Sequence, residues 1–239
     1  MNFVEEVNKL NISLTDEALE KFGKYYSRLV EVNEYMNLTA ITEKDEVYNK
    51  HFLDSLSIVK ALDLSKNFTL CDVGSGAGFP SIPLAIACPN VNVTIIDALN
   101  KRIKFLNELV SYININNACA YHKRAEDYAK EAREGFDIVT ARAVARLNVL
   151  AELCLPLTRI GGHFIAMKAQ ACDEELLEAK NAIATLGGRI KEVISFDLPD
   201  LAGSRNIIII EKVKETPKKY PRAFAKIKER PLWCMSLIK

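Results

Sequence analysis

The sequence predicts an α/β fold: a seven-stranded, doubly wound sheet with an N-terminal helical extension. Two observations carry this. Five short apolar runs, at 70–73, 91–97, 117–122, 136–141 and 163–168, alternate with helix-like segments, the pattern of parallel strands joined by crossover helices. A glycine-rich turn, Gly74-Ser75-Gly76-Ala77-Gly78, sits between the first run and the helix that follows it. Its glycines permit a sharp turn that exposes backbone N–H groups at a helix start, a cradle for a nucleotide-like ligand.

The length of 239 residues, with 49% hydrophobic and 26% charged, suits one large domain that buries a core without staples. No apolar run reaches the roughly 18 residues of a membrane span, and MNFVEEVNKL is unlike a signal peptide. The cysteines (Cys71, Cys88, Cys119, Cys154, Cys172, Cys234) are scattered with no C-x-x-C pair. Free thiols in a cytoplasmic protein, with no metal site, are the expectation. The net charge of +1 is uneven. From 212 to 239 there are nine Lys or Arg against Glu215 and Glu229, a surplus of seven that leaves the rest of the chain at −6. A basic tail on an acidic body points to a polyanionic partner or to a solvated tail.

Residues 1–62 read as a helical extension. In 18–32, Leu19, Phe22, Tyr25, Tyr26, Leu29 and Val30 recur at helical spacing, with Thr15 as N-cap. Residues 37–42 (NLTAIT) form a break of strand-like residues, and Thr42 is placed to cap a helix over 46–62. That helix carries His51 and Asp54 on one face, read chiefly as a hydrogen-bonded structural pair. After the glycine turn, Pro80 fits the first turn of a short helix over 80–87.

The glycine turn departs from the dinucleotide fingerprint G-x-G-x-x-G, because Phe79 stands where the third glycine belongs. With Asp72 ahead of it, the stretch reads D-x-G-x-G-x-G and resembles the first motif of class I S-adenosylmethionine-dependent methyltransferases, a Rossmann-like fold. Asp97 ends the second strand 23 residues after Gly74, near the ~20-residue spacing at which a carboxylate reaches ribose hydroxyls. The loop after the third strand lies over the adenine in that fold, which nominates Ala125 and Glu126. Glu126 as an ordinary helix-opening residue is the alternative.

The fourth strand (136–141) runs into Arg142-Ala143-Val144-Ala145-Arg146. No D/N-P-P-Y motif and no Pro-Cys nucleophile stands there, which argues against exocyclic-amine and cytosine-C5 methylation. Arg142 and Arg146 offer planar forks for a cofactor, phosphate or guanine edge. A helix over 147–160 is expected to end at Gly161-Gly162, and one over 173–186 at Gly187-Gly188. Strands at 189–196 and 205–213 flank a hairpin-like connection. The tail segment Thr216-Pro217-Lys218-Lys219-Tyr220-Pro221-Arg222 places Lys218, Lys219 and Arg222 as phosphate contacts and Tyr220 as a stacking ring. A domain division at 1–62, 63–215 and 216–239 follows.

MNLTAIT, HFLDSL, DVGSGAGFP, LNKRIKFL, RAED, FDIVTARAVA, ELCLPL, LGG and TPKKYPR occur in this order over nearly the whole chain. Together they resemble the bacterial ribosomal RNA small subunit methyltransferase G family, also called glucose-inhibited division protein B. VTARAVA and TPKKYPR are its most specific parts. The chain departs from the family after Arg222, where AFAKIKERPL replaces a Gly/Pro-rich stretch. The resemblance implies methylation of guanosine N7 in 16S ribosomal RNA, free or in the small ribosomal subunit, with S-adenosylmethionine as cofactor. It carries cofactor contacts onto Gly74, Phe79, Ala125, Glu126 and Arg142. Gly76 joins them from the cradle, and Asp97 from its spacing. Guanine N7 needs no deprotonation, so no general base is assigned and Arg142 is a positioning candidate. Methylation of another RNA, a non-catalytic RNA-binding module and an NAD-linked oxidoreductase are the competing readings.

Overall fold

The structure, a computed structural model, describes residues 2–142, 145–169 and 173–232. Cys172 and Cys234 lie outside the described residues; Cys71, Cys88, Cys119 and Cys154 are free thiols. Seven strands form one sheet: β1 (Phe68–Val73), β2 (Val91–Asp97), β3 (Ala118–His122), β4 (Phe136–Arg142), β5 (Thr158–Lys168), β6 (Gly188–Asp197) and β7 (Ser204–Lys212). Their order is β3-β2-β1-β4-β5-β7-β6. The first five run parallel, and β7 lies antiparallel between β5 and β6. This is the α/β arrangement the alternation of apolar runs predicts. The parallel strands are apolar on both faces because helices cover both.

The strand order reverses between β1 and β4, paired from Leu70↔Ile138 to Asp72↔Thr140. Ligands of open α/β sheets bind outside the carboxyl ends of strands at such a switch point. Strand alternation sends neighbouring residues to different cores. Leu70, Ile138 and Ile165 join one apolar cluster with Phe22, Tyr25, Phe52 and Leu106. Cys71, Val139 and Phe164 join the other, with Leu150, Ile183 and Ile227.

The N-terminal helices α1 (Phe3–Asn8) and α2 (Asp16–Met36) belong to the first cluster. Thr15 caps α2 as its spacing predicts, its Oγ1 accepting from the Ala18 N–H at 3.1 Å. Residues 37–42 form no strand. The Asn33 Oδ1 accepts from the Leu38 and Thr39 N–H groups at 2.7 and 2.9 Å and holds them as a turn. Thr42 does not cap the next helix; Glu43 occupies that position, without a side-chain bond. That helix, α3 (residues 44–61), is continuous but irregular. It passes through a π-turn at Tyr48–Leu53 and ends as a 3-10 turn at Ser57–Ala61. The π-turn widens the helix and re-aims its side chains, a feature often found at functional sites, whereas the 3-10 turn tightens its end.

The remaining helices are α4 (Ser81–Ala87), α5 (Asn100–Tyr112), α6 (Ala125–Glu131), α7 (Leu147–Cys154), α8 (Asp173–Thr185) and α9 (Phe224–Glu229). Helix α7 ends well before Gly161. Pro156 has no N–H to continue a helix, so the chain turns there and enters β5 at Thr158. Gly161-Gly162 therefore lie within a strand; a Cβ on Gly162 would meet the Asp137 carbonyl at 2.5 Å. Gly187, at φ 87°, closes α8 as expected. No helix among the described residues is long and apolar enough to cross a membrane.

Candidate active site

Strand β1 ends at the glycine turn, and the Gly74 N–H donates to the Ile96 carbonyl at 2.8 Å, tying the turn to β2. Gly74, Gly76 and Gly78 all have positive φ, at 76°, 63° and 105°. Gly76 and Gly78 differ in purpose. A Cβ on Gly76 would meet nothing within 4 Å, so it faces open space. A Cβ on Gly78 would lie 2.7 Å from Ile82 Cγ1 and 2.9 Å from Leu106 Cδ2, so Gly78 serves packing of α4 and α5. From below, the Tyr25 hydroxyl of α2 donates to the Ala77 carbonyl at 2.7 Å.

Asp72 is fully buried under this turn. The Ser81 hydroxyl donates to its Oδ2 at 2.5 Å, fastening β1 to the first turn of α4. Among the described residues the other oxygen has no hydrogen-bond partner. Burial raises its pKa to about 7, against the lowering effects of Ser81 and Arg142.

On one side of the turn a cleft of ≈ 220 Å³ is lined by Gly74, Asp97, Arg102, Ala125, Glu126 and Phe224, among others. Asp97 is buried at the end of β2, its Oδ1 accepting from the Leu99 N–H at 2.8 Å. Its Oδ2 lies 3.4 Å from Arg102 Nη1. Glu126, in the first turn of α6, accepts from the Phe224 N–H at 3.3 Å.

On the other side, a space of ≈ 410 Å³ is bordered by Thr39, His51, Gly76, Phe79 and Arg142. It continues into a third hollow of ≈ 190 Å³ lined by Lys50, Asp54, Lys168 and Arg205. Gly74 and Arg102 line both of the first two hollows, and His51 and Arg142 both of the last two, so the three adjoin as one cleft.

Arg142 is the hub of the far end. Its Nη1 donates to Asp54 Oδ2 at 2.9 Å, and its guanidinium lies 4.9 Å from the Phe79 ring centre. Burial pulls its pKa down while Asp54 opposes that. The Arg205 Nε donates to the other Asp54 oxygen, also at 2.9 Å. One buried carboxylate of the N-terminal extension thus fixes arginines from β4 and β7 by charge-assisted bonds.

The anticipated His51–Asp54 bond does not form, because the two arginines take both Asp54 oxygens. His51 stacks on Phe79 at 4.6 Å instead. Its Nδ1 lies 3.1 Å from the Lys50 carbonyl and its Nε2 2.7 Å from Thr39 Oγ1. A carbonyl only accepts, so Nδ1 carries the proton and Nε2 accepts from the threonine. Burial, then Arg142, depresses the pKa to about 4, so the ring is neutral with both nitrogens engaged.

Gly74, Gly76, Phe79, Asp97, Ala125, Glu126 and Arg142, picked out in the sequence, all border this cleft. The basic residues assigned to RNA fall elsewhere. Arg146 is half-exposed and pairs with Glu178 at 2.6 Å. Lys218 and Lys219 are exposed. Arg222 departs from its expected role as a phosphate contact. Its Nε and Nη2 donate to the buried Glu152 at 2.8 and 2.6 Å, since an interior carboxylate demands a partner. Tyr220 is buried rather than offered for stacking. Lys168, Arg205 and Phe224 escape the sequence reading, and Asp54 enters it only as a partner for His51. HFLDSL flagged Asp54, but no spacing rule links it to residues 88 and 151 positions later.

A profile of the GidB family, described as rRNA small subunit methyltransferase G, matches residues 18–208. The chain is 55% identical over 219 residues to the ribosomal RNA small subunit methyltransferase G of Staphylococcus saprophyticus subsp. saprophyticus, covering 91% of this chain and 92% of the relative. It is 54% identical over 222 residues to the protein of the same name from Bacillus pumilus, covering 92% and 93%. Among solved structures, a 16S rRNA (adenine(1408)-N(1))-methyltransferase variant from Catenulisporales acidiphilia superposes with TM-score 0.51 at 15% identity, over 64% of this chain and 93% of that one. P. horikoshii TYW2 in complex with MeSAdo gives 0.52 at 15%, over 67% and 61%. At such identity these two likenesses speak for the fold alone. The two close relatives and the matched profile speak for more, and the chain belongs to the rRNA small subunit methyltransferase G (GidB) family.

Proposed function

We propose that this protein transfers a methyl group from S-adenosylmethionine to N7 of a guanosine in small-subunit (16S) ribosomal RNA. The observation that carries the reading is the continuity of the cleft. The hollow beside Asp97 shares Gly74 and Arg102 with the space around Gly76 and Phe79, which in turn shares His51 and Arg142 with the hollow around Asp54, so cofactor and base can meet at the switch point.

The residues present fit the cofactor. Asp97 offers a buried carboxylate to ribose hydroxyls, and Ala125 and Glu126 border the same hollow as candidates for the base edge. Gly76 leaves free the volume a side chain would fill. When bound, S-adenosylmethionine supplies a sulfonium methyl as electrophile. Guanine N7 carries a free lone pair at neutral pH, so the site must align two reactants rather than remove a proton. The residues match that requirement: Arg142 is paired and fixed, and His51 is neutral with both nitrogens occupied. Arg142 and Arg205, held by Asp54, present donors for the O6 edge or a phosphate, and Lys50 and Lys168, ion-paired with Glu46 and Glu175, line the same hollow. Lys218, Lys219 and Arg146 are proposed as outer contacts to the RNA backbone.

The test is methyl transfer to small-subunit RNA from a strain lacking the gene, with the modified base mapped. 7-Methylguanosine at one site is expected; transfer to an exocyclic amine, or none, overturns the reading.

A further inference from the structure

The basic C-terminal segment reaches back to the hollow beside Asp97. Phe224 opens α9 and lines the ≈ 220 Å³ hollow with Gly74, Asp97, Ala125 and Glu126. Among the described residues it is the one aromatic ring lining that hollow, whose other apolar members are aliphatic. Phe224 is 36% exposed, while Tyr220 and Ile227 of the same segment are buried and anchor it. A partly exposed aromatic lining a hollow that ends at a carboxylate has the chemistry of a nucleoside-base wall.

Its position is fixed. The Phe224 N–H donates to Glu126 Oε1. Two residues earlier, Arg222 closes on Glu152 with its backbone N–H as well as its guanidinium, and its Nη1 donates to the Arg230 carbonyl at 3.0 Å. Arg133 donates to the Thr216 and Tyr220 carbonyls at 2.6 and 2.9 Å. Glu152 precedes Leu153, itself in the hollow's wall, so the Arg222–Glu152 clamp sets the ring beside the slot.

We infer that Phe224 is a cofactor-binding residue of this chain, a wall for the adenine ring contributed by the C-terminal segment, with Arg222 and Glu152 as its positioning pair. The inference rests on the S-adenosylmethionine reading above. It makes the segment 216–229 part of the cofactor site as well as a candidate RNA contact.

The test is calorimetric titration of the full chain with S-adenosylhomocysteine. Phe224→Ala raises Kd about tenfold, equivalent to ~1.4 kcal/mol, with the thermal midpoint unchanged. Phe224→Leu restores part of the affinity and Phe224→Tyr nearly all, the order expected of a stack rather than of filled volume. Equal Kd for wild type and Phe224→Ala overturns the inference while leaving the cofactor reading intact. Tighter binding by Phe224→Ala also overturns it, since the ring would then obstruct the slot. No binding by the wild type overturns both. If Phe224→Ala fails to fold, Phe224→Leu against Phe224→Tyr decides, and equal Kd values for those two refute the stack.

Discussion

Replacing Gly76 and Gly78 separately by alanine separates the cradle from the packing beneath it. Both residues hold positive φ, at 63° and 105°. An L-residue forced into left-handed backbone costs about 1–2 kcal/mol. For Gly76→Ala that is the whole cost, because its new methyl meets nothing within 4 Å. Gly78→Ala adds contacts of 2.7 Å to Ile82 and 2.9 Å to Leu106, where overpacking costs roughly 1–3 kcal/mol more. The total is about 2–5 kcal/mol against the 5–15 kcal/mol typical of a domain. Urea denaturation followed by circular dichroism gives the stabilities, and calorimetry with S-adenosylhomocysteine gives the affinities. Gly76→Ala should stay folded and lose cofactor affinity at least tenfold; Gly78→Ala should lose more stability than Gly76→Ala. Equal stabilities together with undiminished affinity in Gly76→Ala would refute the assignment of the open face of the turn to the cofactor.

Asp54→Ala leaves the Arg142 guanidinium buried without its carboxylate and should destabilise by about 3–5 kcal/mol; a urea-unfolding loss below ~1 kcal/mol would show that the clamp contributes little. Asp72 has a folded pKa of about 7, above its ordinary 3.8, so between those values the folded chain keeps a proton the unfolded chain has released. Stability from this group is therefore greatest in acid and declines as pH rises through that window. The stability of Asp72→Asn relative to wild type should accordingly climb by a few kcal/mol from pH 4 to 7, and a flat difference across denaturation curves would show Asp72 ionised throughout. Lys218 and Lys219 are exposed, and replacing both by alanine should lower the salt slope of RNA binding by about 1.4 if each meets one phosphate. Filter-binding at several salt concentrations measures this; an unchanged slope removes both residues from the RNA path.

Much of this protein was legible as sequence because the signals were local. Alternating apolar runs specify parallel strands and crossover helices, since period and length depend on near neighbours. Thr15 as a cap, Gly187 as a helix stop and the Gly74–Gly78 turn follow from backbone preferences within a few residues. Asp97 was found because strand and helix lengths limit where the second strand can end. The errors were also local in kind. The helix expected up to Gly161 ignored Pro156, and Thr42 lost the capping position to Glu43, one residue before the helix begins at Lys44.

The tertiary structure alone decided which charges are spent on one another. His51 and Asp54 share a helix face, yet Asp54 is claimed by Arg142 and Arg205 and His51 by Phe79 and Thr39. Arg222 belongs to the most basic stretch of the chain, yet it answers the buried Glu152, while Phe224 two residues on lines the hollow beside Asp97. Sequence by itself determined the strands and the glycine turn, because backbone geometry is written in nearest neighbours. The partners of each buried charge were decided only by folding, because a desolvated carboxylate takes whichever cation the topology brings within reach, from any distance along the chain.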